Sequence, residues 1–288
     1  MNMLNQKIKL NNGVEIPTIG LGTWLVKNED VTEVVLNGLK VGYRHIDTAE
    51  SYQNEKGVGE AIRRSGIPRK DIFVTTKLRG EIKNYEEAKK AIQQSLDDLN
   101  IEYIDLMIIH CPQPWVNFRN DHHYEEGNLA AWKALEEFYY AGKLKAIGVS
   151  NFLEIEIENI LKHGKVKPAV NQILTHIKNT PFELIEYCQK NGIVVEAYSP
   201  NGHAEIFNEQ PIIDMAQKYK VSIPQLCIRY TIQLGLVTLP KSSNPEHMKE
   251  NADVDFIISD KDMNALKKLE RIKTYGKSMI YKGLEMAV

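Results

Sequence analysis

The chain has 288 residues, 43% of them hydrophobic and 26% charged, with a formal net charge of −2 at pH 7. That is an ordinary globular composition, and without a basic stripe it offers no electrostatic footprint for nucleic acid. The opening MNMLNQKIKL lacks the apolar core of a signal peptide, and no apolar run reaches the roughly 18 residues of a membrane span, so the expected setting is the cytoplasm.

The first element is KIKLNNGVEI, residues 7–16, which reads as a hairpin turning at Asn11-Asn12-Gly13. Short apolar runs then alternate with amphipathic stretches along the whole chain. The strand-like runs are TIGLGTW (18–24), YRHID (43–47), FVTTK (73–77), IDLMIIH (104–110), AIGVSN (146–151), AVNQI (169–173), IVVEAYSP (193–200) and LVTLPK (236–241). Most are continuously apolar, the pattern of strands buried on both faces of a parallel sheet. Residues 31–41, 84–98, 128–142 and 180–190 instead carry apolar side chains at three- and four-residue steps, as helices do.

Eight strands separated by about eight helices, at roughly 30 residues per βα unit, use the full length. No Gly-, Pro- or Ser-rich linker divides it, so residues 1–288 read as one domain. The expected fold is α/β: a closed (β/α)8 TIM barrel with an N-terminal β-hairpin plugging its bottom. The alternative is an open doubly wound sheet, which needs a phosphate-binding fingerprint in its first βα turn. IGLGTW offers Gly20 and Gly22, but Thr23 and Trp24 follow where the tight turn requires small residues. Cys111, Cys188 and Cys227 are odd in number, scattered and without a Cys-x-x-Cys pair, which reads as reduced thiols.

Barrel chemistry gathers at the C-terminal ends of the strands. In HIDTAESYQNE (45–55) Asp47 ends a strand and Tyr52 stands in the loop above it. Asp47 or Thr48 as a helix cap is one reading; a proton-handling site is the other. Lys77 ends the next strand and His110 the one after. Singly, these are a cap, a solvated lysine and a satisfied core histidine. Together they stand at matched ends of neighbouring strands, about one βα unit apart, so their side chains converge on one rim.

The four residues make coherent chemistry. A tyrosine titrates near 10, and a buried lysine ammonium beside it lowers that value. Asp47 holds Lys77 charged, His110 orients a substrate oxygen, and Tyr52 gives its proton to a carbonyl. A carbonyl protonated at oxygen needs hydride at carbon, which a nicotinamide supplies.

GLGTW (20–24), GYRHIDTAESYQNE (42–55), FVTTK, DLMIIH, AIGVSNF, VNQ, EAYSP and LPKS follow one another in an order that resembles the aldo-keto reductase family, in its bacterial diketogluconate-reductase-like branch. The resemblance runs nearly end to end. It implies that Asp47, Tyr52, Lys77 and His110 are the catalytic four, with Tyr52 the proton donor. It implies an enzyme that binds NADP(H) across the barrel mouth, with NAD(H) as a weaker alternative. Ser150, Asn151 and Gln172 then hold the carboxamide, and Tyr198 stacks on the nicotinamide. Ser199, Asn201 and Gly202 lie along the pyrophosphate, and Gly22 and Thr23 line the nicotinamide end. Lys241, Ser242 and Asn244 reach the adenosine phosphate, with Glu250 and Asn251 on the adenine. Trp24, Tyr52, His110, Cys111 and Trp115 face the substrate.

Three departures from the family pattern stand out. His247 occupies the place of an arginine that clamps the 2′-phosphate, and it lacks that residue's permanent charge and forked donors. After Gln172 the family has an acid, an aromatic, then His-Pro; here ILTHIKN keeps only His176. Cys111 replaces a tryptophan after the catalytic histidine. The polar segment 116–127 reads as a lid-like loop.

Two other motifs point elsewhere. Tyr52 and Lys56 match the Tyr-x-x-x-Lys pair of short-chain dehydrogenases, but Tyr85–Lys89 and Tyr139–Lys143 match it too. His122, His123, Glu125 and Glu126 are adjacent in a loop and lack the spacing of a zinc site, so no metal is expected. The rival functional class is a nicotinamide-binding sensor or regulatory module with little turnover. The expected partner is a small-molecule carbonyl substrate, with no protein, nucleic acid or membrane partner.

Overall fold

The computed structural model describes residues 3–275. A two-stranded antiparallel hairpin, β1 (Lys7–Lys9) and β2 (Glu15–Pro17), precedes eight parallel strands. These are β3 (Leu21–Gly22), β4 (His45–Asp47), β5 (Phe73–Leu78), β6 (Ile104–Ile109), β7 (Leu144–Ser150), β8 (Val170–Leu174), β9 (Val194–Tyr198) and β10 (Val237–Leu239), paired in chain order. Parallel bridges Ile19–Thr238 and Gly22–Lys241 join the last strand to the first, which makes the sheet a (β/α)8 barrel. The hairpin was legible in the sequence because Gly13 can take its φ of +89° at the turn.

Ten α-helices are described: α1 (Asn28–Val41), α2 (Glu55–Arg64), α3 (Tyr85–Leu99), α4 (Glu125–Tyr140), α5 (Glu154–His163), α6 (Phe182–Lys190), α7 (Gln210–Tyr219), α8 (Ile223–Gln233), α9 (Pro245–Ala252) and α10 (Asp260–Lys267). Four match the amphipathic stretches within a few residues. α3 starts where Asn84 accepts hydrogen bonds from the backbone N–H groups of Glu86 and Glu87. The apolar faces of α1 to α6 and α9 pack on the outside of the barrel in one core that runs from Met3 to Val254, while those of α7, α8 and α10 build a second.

A smaller core fills the lower end of the barrel. Leu10 and Ile16 of the hairpin pack there with Phe73, Val170 and Val237, residues at the starts of their strands. Asn11 Nδ2 donates to the Pro168 carbonyl at 2.8 Å and Asn12 Nδ2 to that of Lys145 at 2.9 Å, so the hairpin is tied across the bottom as expected. Gly20 has a different role: a Cβ there would come within 2.6 Å of Leu239 and 2.7 Å of His45. With one end plugged, the polar strand ends can meet only at the other.

Candidate active site

Asp47, Lys77 and His110 converge at the upper rim. Lys77 is wholly buried, although a lysine loses hydration there. Its Nζ donates to Asp47 Oδ1 and to the Thr48 carbonyl, each at 2.7 Å. Burial opposes the ammonium, but Asp47, then Tyr52 and Glu196, outweigh it and hold the Lys77 pKa above its ordinary value. Asp47 and Thr48 are therefore not helix caps. The next helix, α2, begins only at Glu55, and the Thr48 hydroxyl donates to Asn54 Oδ1 at 2.6 Å.

Tyr52 ends a short 3-10 turn, Glu50–Tyr52, that lifts its ring over the pair. The Lys77 Nζ lies 5.0 Å from the ring centroid. Burial raises the phenol's pKa against the downward pull of Lys77. The lowering expected from a neighbouring ammonium is therefore corrected: desolvation of the phenolate wins. A phenol that keeps its proton suits a donor. The His110 ring stands edge-on to Tyr52 at 5.8 Å and to Trp115 at 5.4 Å. Burial, then Lys77, drives the His110 pKa well down, so the imidazole is neutral, with Nδ1 3.3 Å from Ser51 Oγ.

Tyr52 and His110 open into a cavity of about 640 Å³. Gly22, Trp24, Asp47, Trp115, Ser150, Asn151, Gln172, Tyr198, Ser199, Asn201 and Lys241 line it too. Register explains the convergence: Gly22 pairs with Asp47, Ser150 with Gln172 and Gln172 with Glu196 on adjacent strands. Asn151 Nδ2 donates to the His110 carbonyl at 3.1 Å, and the Tyr198 hydroxyl donates to Asn151 Oδ1 at 2.9 Å. Gln172 Nε2 donates to Asp47 Oδ2 and Glu196 Oε2.

Several expected residues lie outside that lining. Thr23 is buried, its hydroxyl donating to the Asp47 carbonyl at 3.0 Å. Gly202 is buried in the left-handed turn after β9, with φ +52°. Ser242 and Asn244 form the start of α9, where Asn244 Oδ1 caps the Glu246 N–H at 2.9 Å. His247, Glu250 and Asn251 follow on that helix, His247 exposed and Asn251 buried. Cys111 does not reach the cavity. It is fully buried beside Gly80, with its thiol pushed up to about 12 by burial. Trp115 is the wall from that loop.

Sequence reasoning missed Ser51, Leu25 and His203, which also line the cavity. His203 sits in a left-handed conformation, φ +54°, with its Nε2 3.1 Å from Ser199 Oγ and its ring edge-on to Trp24 at 5.5 Å. An isolated histidine in the loop NGHAE gives no periodic signal. His176 is buried with Nε2 2.6 Å from the Tyr275 hydroxyl, so Tyr275 packs inward; Met279 and Tyr281, which the sequence also offers as covers for the barrel mouth, lie outside the described residues. The 116–127 segment is pinned by Gln113, whose Nε2 donates to the carbonyls of Asn120 and His122. Lys56, the decoy, pairs with Asp98 on the surface side, and His123 pairs with Glu156.

The cavity also fits a nicotinamide cofactor on its own terms. It runs from Tyr52 to Lys241, a span lined by amide and hydroxyl groups, and Asn201 Oδ1 is buried in it without a partner. Residues 18–271 match the model of the Aldo/keto reductase family. The chain belongs to the aldo/keto reductase family. It is 40% identical over 274 residues to the glyoxal reductase of Bacillus subtilis, covering 93% of this chain and 95% of that protein. A crystal structure of an aldo/keto reductase from Brucella melitensis superposes with a TM-score of 0.87 at 38% identity, covering 94% of this chain and 100% of that one. The Bombyx mori aldo-keto reductase in complex with NADP superposes at 0.83 with 31% identity, covering 96% of each. Membership makes the chain an oxidoreductase of carbonyl groups. Among the described residues no helix is long and apolar enough to cross a membrane, and no group of three His, Cys, Asp or Glu stands close enough to hold a metal.

Proposed function

We propose that this protein reduces aldehydes or ketones to alcohols with NADPH, with Tyr52 as the general acid. The observation that carries this reading is the placement of Tyr52 and His110 side by side on the cavity wall, above a buried Lys77–Asp47 pair. Hydride to the carbonyl carbon would come from the nicotinamide when NADPH is bound. His110, held neutral, donates a hydrogen bond that orients the carbonyl oxygen toward the Tyr52 hydroxyl. Tyr52 delivers its proton there, and Lys77 stabilises the phenolate left behind. Asp47 keeps Lys77 charged and aimed.

Ser150, Asn151 and Gln172 would hold the carboxamide, Tyr198 the nicotinamide face, and Gly22 and Thr23 its near edge. Ser199, Asn201 and Gly202 would follow the pyrophosphate. Lys241, Ser242, Asn244 and the start of α9 suit a phosphate, since backbone N–H groups and the helix dipole favour an anion there. Glu250 and Asn251 flank the adenine. His247 leaves a narrower margin over NADH. Trp24 and Trp115 form the substrate walls.

The test is NADPH and NADH oxidation, followed by absorbance, with a panel of small aldehydes and α-dicarbonyls. Glyoxal belongs in that panel, given the Bacillus relative. Turnover with NADPH supports the reading. Cofactor binding without turnover across the panel favours the sensor module, and absence of both overturns the assignment of the barrel mouth.

A further inference from the structure

Behind the Tyr198–Asn151 contact lies a second cavity, of about 400 Å³, that carbonyl reduction does not use. Both residues line it from the far side. The charged residues described in its lining are all cationic: Arg119 from the loop after β6, Lys178 from the turn after β8, Lys267 at the end of α10, and Arg271 beyond it. Among the described residues no Asp or Glu lines it.

Acids stand near Lys178 and Arg119. Lys178 Nζ is 2.7 Å from Glu209 Oε1. Glu156, whose charge favours the Arg119 guanidinium, accepts from His123 Nδ1 at 2.6 Å and from the Leu153 N–H at 2.7 Å. Arg119 Nη1 is buried without a hydrogen-bond partner. Burial and the like charge of Arg271 both work against the Arg119 guanidinium, with Cys111, Glu156 and Tyr198 acting the other way. A guanidinium nitrogen shut off from water without an acceptor loses a hydrogen bond, and Arg119 also feels the like charge of Arg271. An oxyanion beside Arg119 would supply that acceptor and offset the repulsion, and the planar fork of arginine suits its geometry.

We propose that this cleft binds a phosphate-sized oxyanion, either free or carried at the end of a larger molecule. Its occupant is one hydrogen bond away from the main cavity, through the Tyr198 hydroxyl and Asn151 Oδ1.

The experiment is a calorimetric titration of inorganic phosphate into NADPH-saturated enzyme at low ionic strength. Saturation with NADPH keeps phosphate out of the cofactor region and is read separately from nucleotide fluorescence. A failure of the cofactor reading therefore shows in that signal and not in phosphate binding. The expected result is saturable binding of one phosphate, weakened about tenfold or more in Arg119→Gln and in the surface variant Lys267→Gln, the factor that loss of a charge-assisted hydrogen bond brings. Glycerol 3-phosphate is titrated in parallel. Equal affinity identifies a free anion as the occupant, and tighter binding identifies the anionic end of a larger molecule. Absence of saturable binding, or an affinity that the substitutions leave unchanged, overturns the proposal.

Discussion

Asp47 and Glu196 share one donor: Gln172 Nε2 lies 2.9 Å from Asp47 Oδ2 and 3.0 Å from Glu196 Oε2. The amide nitrogen of Gln172 is thus committed below the cavity floor. Two carboxylates so placed do not both carry charge easily. Burial, then Asp47, pushes Glu196 from 4.5 up to about 8. Its Oε1 has no hydrogen-bond partner, with His45 Nε2 3.7 Å away.

A stability profile follows from that shift. Between the unfolded value near 4.5 and the folded value near 8, the native state holds a proton that the unfolded chain has released. Stability therefore falls as pH rises through that window. Glu196→Gln keeps the shape and removes the titration. Its unfolding free energy, measured by urea denaturation, should gain on the wild type by a few kcal/mol in order of magnitude between pH 5 and pH 8.5. A difference that stays flat across the window would show that Glu196 is not the buried acid responsible.

Tyr52→Phe isolates the proton. The ring, its contact with His110 and the wall of the cavity remain, and only the hydroxyl goes. The expected outcome is a kcat lowered roughly 10²- to 10⁴-fold, the range of a general acid's contribution, with NADPH binding unchanged by fluorescence titration. Reduction at the wild-type rate would remove Tyr52 from the chemistry.

The Lys77–Asp47 pair should behave as a buried pair in stability as well as in rate. Lys77→Met leaves Asp47 without its ammonium, at a cost of about 3–5 kcal/mol by the usual range for breaking such pairs. Asp47→Asn strands Lys77 and costs a similar amount. The double variant should recover much of the loss, since neither charge is then buried alone. Urea denaturation of all four proteins closes the cycle. Additive losses would mean that the two side chains are energetically independent despite their 2.7 Å contact.

How much of this was legible in the sequence depended on whether a residue sat on a repeat. Asp47, Lys77 and His110 end successive strands, so the βα period alone brought them together. Glu196 was equally available as a lone acid inside IVVEAY, but it read as one residue of an apolar strand, because burial without charge leaves no periodic mark. His203 depends on a left-handed backbone that no pattern announces. Cys111 was placed on the substrate wall by resemblance; the chain instead turns it down beside Gly80 and presents Trp115. α2 begins within the stretch that holds Asp47 and Tyr52, and the catalytic reading of that stretch masked the helix start at Glu55.

His247 offers the sharpest test of the cofactor reading. It stands exposed in the first turn of α9, close in sequence to Lys241 and Ser242, where a phosphate would meet the helix N-terminus. An imidazole lacks the forked donors of a guanidinium, which adds permanent charge and two parallel hydrogen bonds to a phosphate. His247→Arg should therefore raise the NADPH/NADH ratio of kcat/KM by about tenfold, the scale of one added charge-assisted hydrogen bond. Lys241→Ala should move the same ratio the opposite way, and more strongly at low salt than at high salt. Should His247→Arg leave the ratio unchanged while Lys241→Ala collapses it, the phosphate would be recognised from the strand end alone, with the helix face uninvolved.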